Sequence, residues 1–199
     1  SVTFIGEHAF VSNKLQSMQI PTTLTSIGVG AFADNAITAV EIPKSVKTIG
    51  DAAFSENRLK SIAFPEGLQT IGWGVAQKNN LISIDIPKSV RLIRPYAFAY
   101  NNLSSVTIPD GVTNIEWYAF YGNNLTNIEI PDSVKSIDAQ AFQDNPLKRV
   151  SISADLDFDP TSFPSDAEII KRGLPPAIAS YTISKSADSI DEGESFTIS

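Results

Sequence analysis

The chain contains no cysteine, and only one histidine and one methionine occur among its 199 residues. Without cysteine it can form neither a disulfide nor a thiolate metal site. The single histidine, His8, has no matching acid, base or ligand set for a hydrolase triad or a His-rich metal site. The sequence therefore predicts no catalytic residue, no metal and no other cofactor.

Basic residues and long apolar runs are also scarce. Lys and Arg total 15 against 22 Asp and Glu, which gives a formal net charge of −7. Binding to phosphate backbones needs clustered Lys and Arg, so nucleic acid is not an expected partner. No apolar run is long enough to span a bilayer, and no membrane insertion of this fragment is expected. The chain starts without an initiator Met or a signal-peptide pattern, so we expect it to be part of a longer protein.

What the sequence does have is a 22-residue repeat. Counted from its proline, each copy reads P-x-x-[VL]-x-x-I-G-x-x-A-F-x-x-N-x-[LI]-x-x-[VI]-x-[IF], with six copies after a truncated one. The proline column is Pro21, Pro43, Pro65, Pro87, Pro109 and Pro131, the phenylalanine column is Phe10, Phe32, Phe54, Phe98, Phe120 and Phe142, and the leucine column is Leu15, Ile37, Leu59, Leu81, Leu103, Leu125 and Leu147. A single coil of this length cannot bury its apolar face, so the repeat predicts stacked coils with the last two columns facing inward.

The pattern within a copy predicts three short sides for each coil. Apolar and polar residues alternate at residues 83–86 and 127–130, which predicts short half-buried strands that pair in parallel between coils. A second extended piece fits residues 46–49. The A-F-x-x-N stretch is too short for a stable helix and predicts a helical or 3-10 turn.

An asparagine column accompanies the apolar columns. Its members are Asn13, Asn35, Asn57, Asn79, Asn101, Asn123 and Asn145. We expect these side chains to hydrogen-bond the turning backbones of adjacent coils, because a buried amide must be satisfied. The alternative is a functional role for the amides.

Taken together, I-x-I-P-x-x-V-x-x-I-G-x-x-A-F resembles the bacterial BspA-like leucine-rich repeat. Fixed columns such as Ile42-Pro43, Val46, Ile49-Gly50 and Ala53-Phe54 carry the resemblance over about three quarters of the chain. It implies a curved, right-handed leucine-rich-repeat solenoid, mostly β and irregular, with short parallel β-strands. It also implies a secreted or surface-anchored protein that binds other proteins or mediates adhesion, with no shared catalytic residues. Family members often have Cys where this chain has Asn, a departure that leaves the binding partner open.

The repeat fails in two places. In the fourth coil Val75 and Ala76 replace the Ala-Phe pair, and Trp73 is a candidate to fold into the vacated volume. After Ile152 the proline column is lost, which predicts a degenerate capping coil over residues 153–172 at the end of a solenoid spanning residues 1–172. The residues expected to face inward in that coil are Phe158, Phe163, Ile169 and Ile170.

The tail has a different composition. Residues 173–180 have linker composition, and residues 181–199 resemble the start of a further β-sandwich module or an extended tail. Such modules occur in large bacterial extracellular proteins, so the tail favours a multidomain surface protein.

An acidic stretch near the end imitates a calcium loop. Asp155, Asp157 and Asp159 alternate, and Asp166 falls at the position of a last ligand. The loop would need Gly where Pro160 stands, so we interpret it as a solvated acidic turn and predict no metal.

Six aromatic residues occupy variable columns on either side of Ala-Phe in three adjacent coils. They are Trp73, Tyr96, Tyr100, Trp117, Tyr118 and Tyr121. Stacking predicts one continuous patch, absent from the earlier coils, where those columns hold residues such as Gly30 and Ser55. Exposed aromatic clusters suit protein contacts, and flat rings also suit sugar stacking. The alternative is that the rings pack on one another to shield turns that have lost Gly.

Three functional hypotheses follow. The first is a non-enzymatic cell-surface or secreted repeat protein that presents a protein-binding or adhesive surface. The second makes the aromatic residues a carbohydrate-recognition strip on an adhesin or on an accessory module of a secreted enzyme. The third is a structural spacer without a ligand. The expected partner is a protein or glycan on an extracellular surface, and the oligomeric state stays open.

Overall fold

The computed structural model describes residues 1–173 and the backbone of residues 180–182. These residues form a parallel β-solenoid, which confirms the leucine-rich-repeat fold expected from the sequence. The stacked coils, numbered 1 to 8, comprise residues 1–20, 21–42, 43–64, 65–86, 87–108, 109–130, 131–152 and 153–173. The described residues contain no helix. Their strands are β1 (Phe4–Ile5), β2 (Ser26–Ile27), β3 (Ala39–Glu41), β4 (Thr48–Ile49), β5 (Ser61–Ala63), β6 (Thr70–Ile71), β7 (Leu92–Ile93), β8 (Asn114–Ile115), β9 (Asn127–Glu129), β10 (Ser136–Ile137), β11 (Arg149–Ser153), β12 (Asp157–Phe158), β13 (Glu168–Arg172) and β14 (Ser180–Thr182).

One side of the solenoid carries the isoleucine ladder, formed by β1, β2, β4, β6, β7, β8, β10 and β12. Its strands pair in parallel, with Ile27 opposite Ile49 and Ile93 opposite Ile115. The isoleucines point inward and are buried from Ile71 to Ile137. Within the described residues the ladder is interrupted once, because no strand pairing joins β4 to β6.

A second side, the strand face, carries β3, β5, β9, β11 and β13. The strand predicted at residues 127–130 is confirmed as β9, in which buried and exposed residues alternate. The strand predicted at residues 83–86 is wrong, because Asp85 forms only an isolated bridge with Ala63. Ile84 and Ile86 are nevertheless buried. The alternation of polar and apolar residues on this face therefore predicts which side chains are buried. It does not predict whether neighbouring coils are joined by backbone hydrogen bonds.

The third side, the turn side, consists of the A-F-x-x-N stretches, and the helical or 3-10 turn predicted there is wrong. The Phe32 amide donates to the Ala53 carbonyl of the next coil at 2.9 Å, whereas the following amide, of Ala33, donates to Gly30 at 3.1 Å. Alternate amides thus bond to the next coil, and those between them close tight turns. On this side the backbone is left-handed at two positions in each of coils 1 to 7, for example Gly30 (φ 56°) and Asp34 (φ 54°), which a right-handed helix does not allow.

The phenylalanine column forms a stack of rings through the core, as predicted. Successive centroids lie 5.1 to 5.5 Å apart from Phe10 to Phe54 and again from Phe98 to Phe163. The rings are fully buried from Phe54 onward, and only Phe10 at the open end is exposed. The leucine column is also fully buried in coils 3 to 7. Continuous apolar rows supply the hydrophobic stabilisation that one coil cannot generate alone.

The missing ring of coil 4 is compensated by an unexpected residue. Phe64 replaces the isoleucine that ends most other copies, and its ring packs edge-on against Phe98 at 6.2 Å. The expectation that Trp73 fills this volume is wrong, because Trp73 is 38% exposed. The small side chain of Ala76 and the large one of Phe64 therefore form a complementary pair.

The asparagine ladder is confirmed as structural in the interior coils. The side-chain amide of Asn101 donates to the carbonyls of Ala76 at 3.0 Å, Phe98 at 3.1 Å and Ala99 at 3.3 Å. Its side-chain oxygen accepts from the Leu81 amide at 3.0 Å. Asn57, Asn79, Asn123 and Asn145 repeat this arrangement and are buried. Each amide therefore fixes its own turn and ties together neighbouring coils.

Coil 8 closes the C-terminal end with different contacts. Phe163 and Ile169 are fully buried, and Phe158 packs partly buried against the core. The Ser162 hydroxyl is buried and lies 2.9 Å from the Asp138 carbonyl, to which it donates. The side-chain amide of Gln143 donates to the Phe163 carbonyl at 2.7 Å, a contact that extends the amide ladder in altered form.

The end of the chain lies mostly outside the described residues. Strand β14 pairs antiparallel with β13. The predicted linker at residues 173–180 and module at residues 181–199 are otherwise not covered, so they stay predictions.

The described residues offer no cluster of three His, Cys, Asp or Glu side chains suited to a metal ion. In the acidic turn the Asp159 carboxylate instead accepts from the Thr161 amide at 2.7 Å. No helix of the length and apolar character needed to cross a membrane occurs in the described part of the chain.

Candidate functional site

The structure brings all six aromatic residues singled out in the sequence into one connected cluster, the aromatic patch. At its centre Tyr96 stacks on Tyr118, with centroids 4.9 Å apart and an interplanar angle of 8°. Trp73 and Trp117, from the coils before and after, meet the Tyr96 ring at 5.8 Å and 5.5 Å. The patch therefore spans coils 4 to 6 without a gap.

The patch continues across the turn through two further tyrosines. Tyr121 lies 5.1 Å from Tyr118, and Tyr100 lies 5.4 Å from Tyr121. The Tyr100 ring lies close over Gly122, where an added Cβ would come within 3.1 Å of it. A glycine at this position therefore leaves the space that the Tyr100 ring needs.

Packing and exposure occur together in the aromatic patch. Trp73 is 38% exposed, and Tyr100 and Trp117 are each 44% exposed. The other three rings are half-buried and support the exposed ones. Mutual packing and ligand contact are therefore compatible with each other, because each exposed ring rests on a neighbour and still offers free surface.

The turns do not require aromatic residues at these positions. Tyr96 and Tyr118 have left-handed backbones with φ of 57° and 60°, at a column where coils 2 and 4 carry Gly30 and Gly74. Tyr100 is also left-handed, with φ of 56°. A left-handed residue with a side chain costs roughly 1 kcal/mol, a cost that glycine avoids. Ala52 and Gln140 occupy the same column in coils 3 and 7 with φ of 55° and 59°, so these turns accept side chains of different sizes.

Polar groups of the patch are available to a ligand. Among the described residues no hydrogen bond uses the four tyrosine hydroxyls or the two indole N–H groups of the patch. Burial raises the pKa of Tyr121, and the Asp144 carboxylate and two neighbouring tyrosines raise it further. Burial and two neighbouring tyrosines likewise raise the pKa of Tyr96. These phenols therefore stay protonated at neutral pH, when they can donate.

A charged column borders the patch. Glycine occupies this column in coils 2 to 4, and Arg94, Glu116 and Asp138 follow in coils 5 to 7. Burial raises the pKa of Glu116, Arg94 opposes this shift and Asp138 adds to it. Two adjacent carboxyl groups therefore give this border of the patch an acidic character.

An ion pair spans the interruption of the isoleucine ladder. The Arg94 guanidinium reaches past coil 4 and bonds both carboxylate oxygens of Asp51, at 3.2 and 3.3 Å. The same Asp51 carboxylate accepts from the Trp73 amide at 3.0 Å. An added Cβ at Gly72 would lie 3.0 Å from that carboxylate, so glycine makes room for it. This pair joins coils 3 and 5 and holds the backbone of one patch residue.

Sequence reasoning did not find a groove along the strand face. Its central hollow lies where residues 83–86 and 105–108 fail to pair, and Asp85, Thr107 and Asp110 are among its lining residues. A neighbouring hollow is lined by Glu129 and Arg172, among others. The sequence alternates in the same way in paired and unpaired coils, so it carries no signal for this opening.

Comparison with known proteins places the fold in a family. The sequence matches the BspA type leucine rich repeat region in six copies, over residues 1–103 and 91–187. A search of curated proteins found no match.

Solved structures with the same fold come from bacteria. A leucine-rich repeat protein from Bacteroides ovatus is 27% identical with a TM-score of 0.77, and the match covers 85% of this chain and 47% of that one. A leucine rich cell surface protein from Faecalibacterium prausnitzii is 21% identical with a TM-score of 0.59, covering 88% and 59%. The pneumococcal vaccine antigen PcpA is 20% identical with a TM-score of 0.51, covering 85% and 60%. The last two likenesses show the fold alone.

This chain spans about half the length of the Bacteroides ovatus protein. The family match covers most of the sequence and agrees with the coils, the buried columns and the asparagine ladder. The chain therefore belongs to the BspA-type leucine-rich repeat family.

Proposed function

We propose that this chain is a non-enzymatic binding module whose aromatic patch contacts a protein partner. The observation that carries the proposal is the connected cluster of six rings, three of them more than one third exposed. Tyr and Trp are enriched at the centres of protein interfaces, where they bury large areas and donate hydrogen bonds. A contiguous aromatic surface of this kind is unusual on a protein that has no partner.

The shape of the patch favours a protein over a sugar chain. Trp73 and Trp117 meet Tyr96 at interplanar angles of 61° and 76°, and Tyr100 meets Tyr121 at 66°. Neighbouring rings are therefore steeply inclined, and the surface is ridged instead of flat. Side chains of a protein can fit between such ridges, whereas pyranose rings stack best on flat platforms.

We further propose that the parent protein is secreted or displayed on a bacterial cell surface, where the module serves adhesion. One similar structure is described as a leucine rich cell surface protein. The family resemblance and the acidic, cysteine-free composition are compatible with this location.

Selection from a displayed peptide library tests the proposal. The parent chain should enrich peptides that the double variant Trp73→Ala/Trp117→Ala no longer retains, because both exposed indoles are removed. The matched control is Ile82→Ala, which removes an exposed apolar side chain (61% exposed) that is not one of the six aromatic residues of the patch. If the double variant retains the same peptides as the parent, the patch is not the binding surface.

A glycan array probed with the same variants tests the second candidate, a carbohydrate-recognition strip. The side-chain amides of Gln77 in coil 4 and Gln140 in coil 7 favour this candidate, because sugar hydroxyls bond to both groups of an amide. Glycan binding that depends on Trp117, without peptide binding, would replace our proposal with this one. Failure of both screens would support a spacer without a ligand.

A further inference from the structure

We infer that the segment recognised by the aromatic patch is a proline-rich peptide in the polyproline II conformation, lying along the solenoid axis. This inference rests on the proposed function, namely that the patch binds a protein. It adds the conformation, the direction and the residue spacing of the bound segment.

The spacing of the two indoles carries the inference. Trp73 and Trp117 occupy the same column two coils apart, and equivalent phenylalanine rings of successive coils lie 5.1 to 5.5 Å apart, so equivalent side chains repeat at twice that distance, about 10 to 11 Å. A polyproline II helix rises about 3.1 Å per residue with three residues per turn, so one side of it repeats at about 9.3 Å. The two repeats agree to within about 1 to 2 Å, so prolines at every third residue of such a peptide come closer to the spacing of the indoles than prolines at every fourth residue.

The ring between the indoles supports this register. The Tyr96 centroid lies 5.8 Å from Trp73 and 5.5 Å from Trp117, so the three rings follow one another along the axis at coil spacing. Because adjacent ring planes are inclined by 61° and 76°, the three rings form a ridged track. Prolyl rings that project every third residue can pack against such ridges, as in other aromatic grooves that bind polyproline II segments.

The hydrogen-bonding groups of the patch match the same conformation. A polyproline II helix has no internal hydrogen bonds, so its carbonyl groups need donors from outside. The unused indole N–H groups of Trp73 and Trp117 and the hydroxyls of Tyr100 and Tyr121 are such donors. The track thus offers donors beside its apolar surfaces.

Other backbone conformations fit less well. A strand would need unpaired backbone amides, but on this side the Gly74 amide donates to Pro95 at 2.9 Å and the Tyr96 amide to Trp117 at 3.3 Å. An α-helix satisfies its own backbone carbonyls, so it would leave the indole and hydroxyl donors of the patch without backbone acceptors.

The charged groups around the track indicate which residues accompany the prolines in the bound peptide. Glu116 and Asp138 border the track on one side, and the Asp144 carboxylate lies near Tyr121 on the other. Arg or Lys beside the prolines would complement these carboxylates, and such attraction weakens as salt increases.

Two synthetic peptides of identical composition test the inference. Each has fourteen residues, including four prolines and a terminal arginine, with prolines at every third position in one and at every fourth position in the other. Both tryptophans of the chain lie in the patch, so intrinsic fluorescence reports binding directly. The three-spaced peptide should bind about tenfold or more tightly than the four-spaced one, and Trp73→Ala or Trp117→Ala should weaken it by about tenfold. Ile82→Ala should leave its affinity unchanged.

The outcomes separate this inference from the proposed function. Equal affinity for the two peptides, or binding that neither tryptophan variant weakens, would overturn the inference. A third outcome is that neither synthetic peptide binds, while peptides selected from the library bind through Trp117 although they lack regularly spaced prolines. In that case the patch binds protein, but the inference is wrong. If no peptide of any kind requires Trp117, the proposed function fails as well.

Discussion

Coils 2 and 6 share a frame, by which we mean the inward-facing columns and the backbone turns that they hold. The two coils differ in the side chains that they expose on the turn side. Asn35 and Asn123 make the same contacts, each donating to the carbonyl of a phenylalanine in the preceding coil, at 2.8 and 3.0 Å. The outward columns differ, since coil 2 carries Val29, Gly30, Ala33 and Asp34, whereas coil 6 carries Trp117, Tyr118, Tyr121 and Gly122. The inner columns therefore build the coil, and the outer columns can change without altering it.

The asparagine ladder explains physically why the outer columns can vary independently of the inner ones. The buried amides satisfy the turn carbonyls from inside, so the turn does not depend on any outward side chain. Aromatic rings can therefore stand on the turns of coils 4 to 6, even at left-handed positions, while the backbone bonding stays the same.

The largest expected effect comes from breaking the frame in the interior. Asn101→Ala leaves buried backbone groups without partners, and we expect a loss of about 3 to 5 kcal/mol in the free energy of unfolding. The matched control is Asn13→Ala in coil 1. Asn13 is exposed and bonds only the Val11 carbonyl, so its loss should stay below about 0.5 kcal/mol. Denaturant unfolding of both variants measures the difference, and equal losses would contradict a structural role specific to the buried ladder.

A smaller effect is expected from restoring the repeat in coil 4. Ala76→Phe inserts the ring that the column lacks, but Phe64 already packs against Phe98 there. Overpacking should cost about 1 to 3 kcal/mol. Adding Phe64→Ile should recover part of that loss, which a double-mutant cycle of unfolding free energies would detect as coupling. Strict additivity would show that Phe64 does not compensate for Ala76.

Two opposite substitutions test how much a side chain at a left-handed turn position lowers the free energy of unfolding. Both are made at positions that do not carry tyrosine. Gly74 and Ala52 occupy the same column with φ of 52° and 55°. Gly74→Ala should destabilise the chain by about 1 kcal/mol, and Ala52→Gly should stabilise it by a similar amount. Thermal unfolding measures both, and shifts in the same direction would remove backbone strain as an explanation.

The smallest effect concerns the charged border of the patch. Because burial raises the pKa of Glu116 in the folded state, ionisation favours the unfolded state. The resulting loss of stability is full above the folded pKa and disappears as pH falls below the unfolded value. Glu116→Gln should therefore be slightly more stable than the parent at neutral pH, and the difference should vanish on acidification. A difference that stays constant with pH would contradict this assignment.

Much of the frame could be predicted from the period and the columns. Rows such as Phe98 with Phe120 and amides such as Asn101 follow from the fact that equivalent residues of stacked coils become neighbours. The same reasoning brought the six aromatic residues together before their contacts were known. These predictions depend only on the number of residues between equivalent positions of the repeat, which can be counted in the sequence.

Other features depend on geometry that spacing does not contain. The turn hydrogen bonds alternate between their own coil and the next, so no helical turn forms at residues such as Phe32 and Ala33. The strand expected at Asp85 is absent because adjacent coils do not pair there, although its side chains alternate. The compensation of Ala76 by Phe64 joins different columns and coils, which a column-by-column analysis does not consider.

Side-by-side measurement of unfolding and peptide binding in Trp73→Ala/Trp117→Ala tests the central claim most directly. The claim is that the frame presents these rings without depending on them. We predict cooperative unfolding with a midpoint lowered by no more than about 10 °C, together with loss of the peptides that the parent selects. Collapse of the fold would contradict the independence of the frame, and unchanged binding would contradict the role of the aromatic patch.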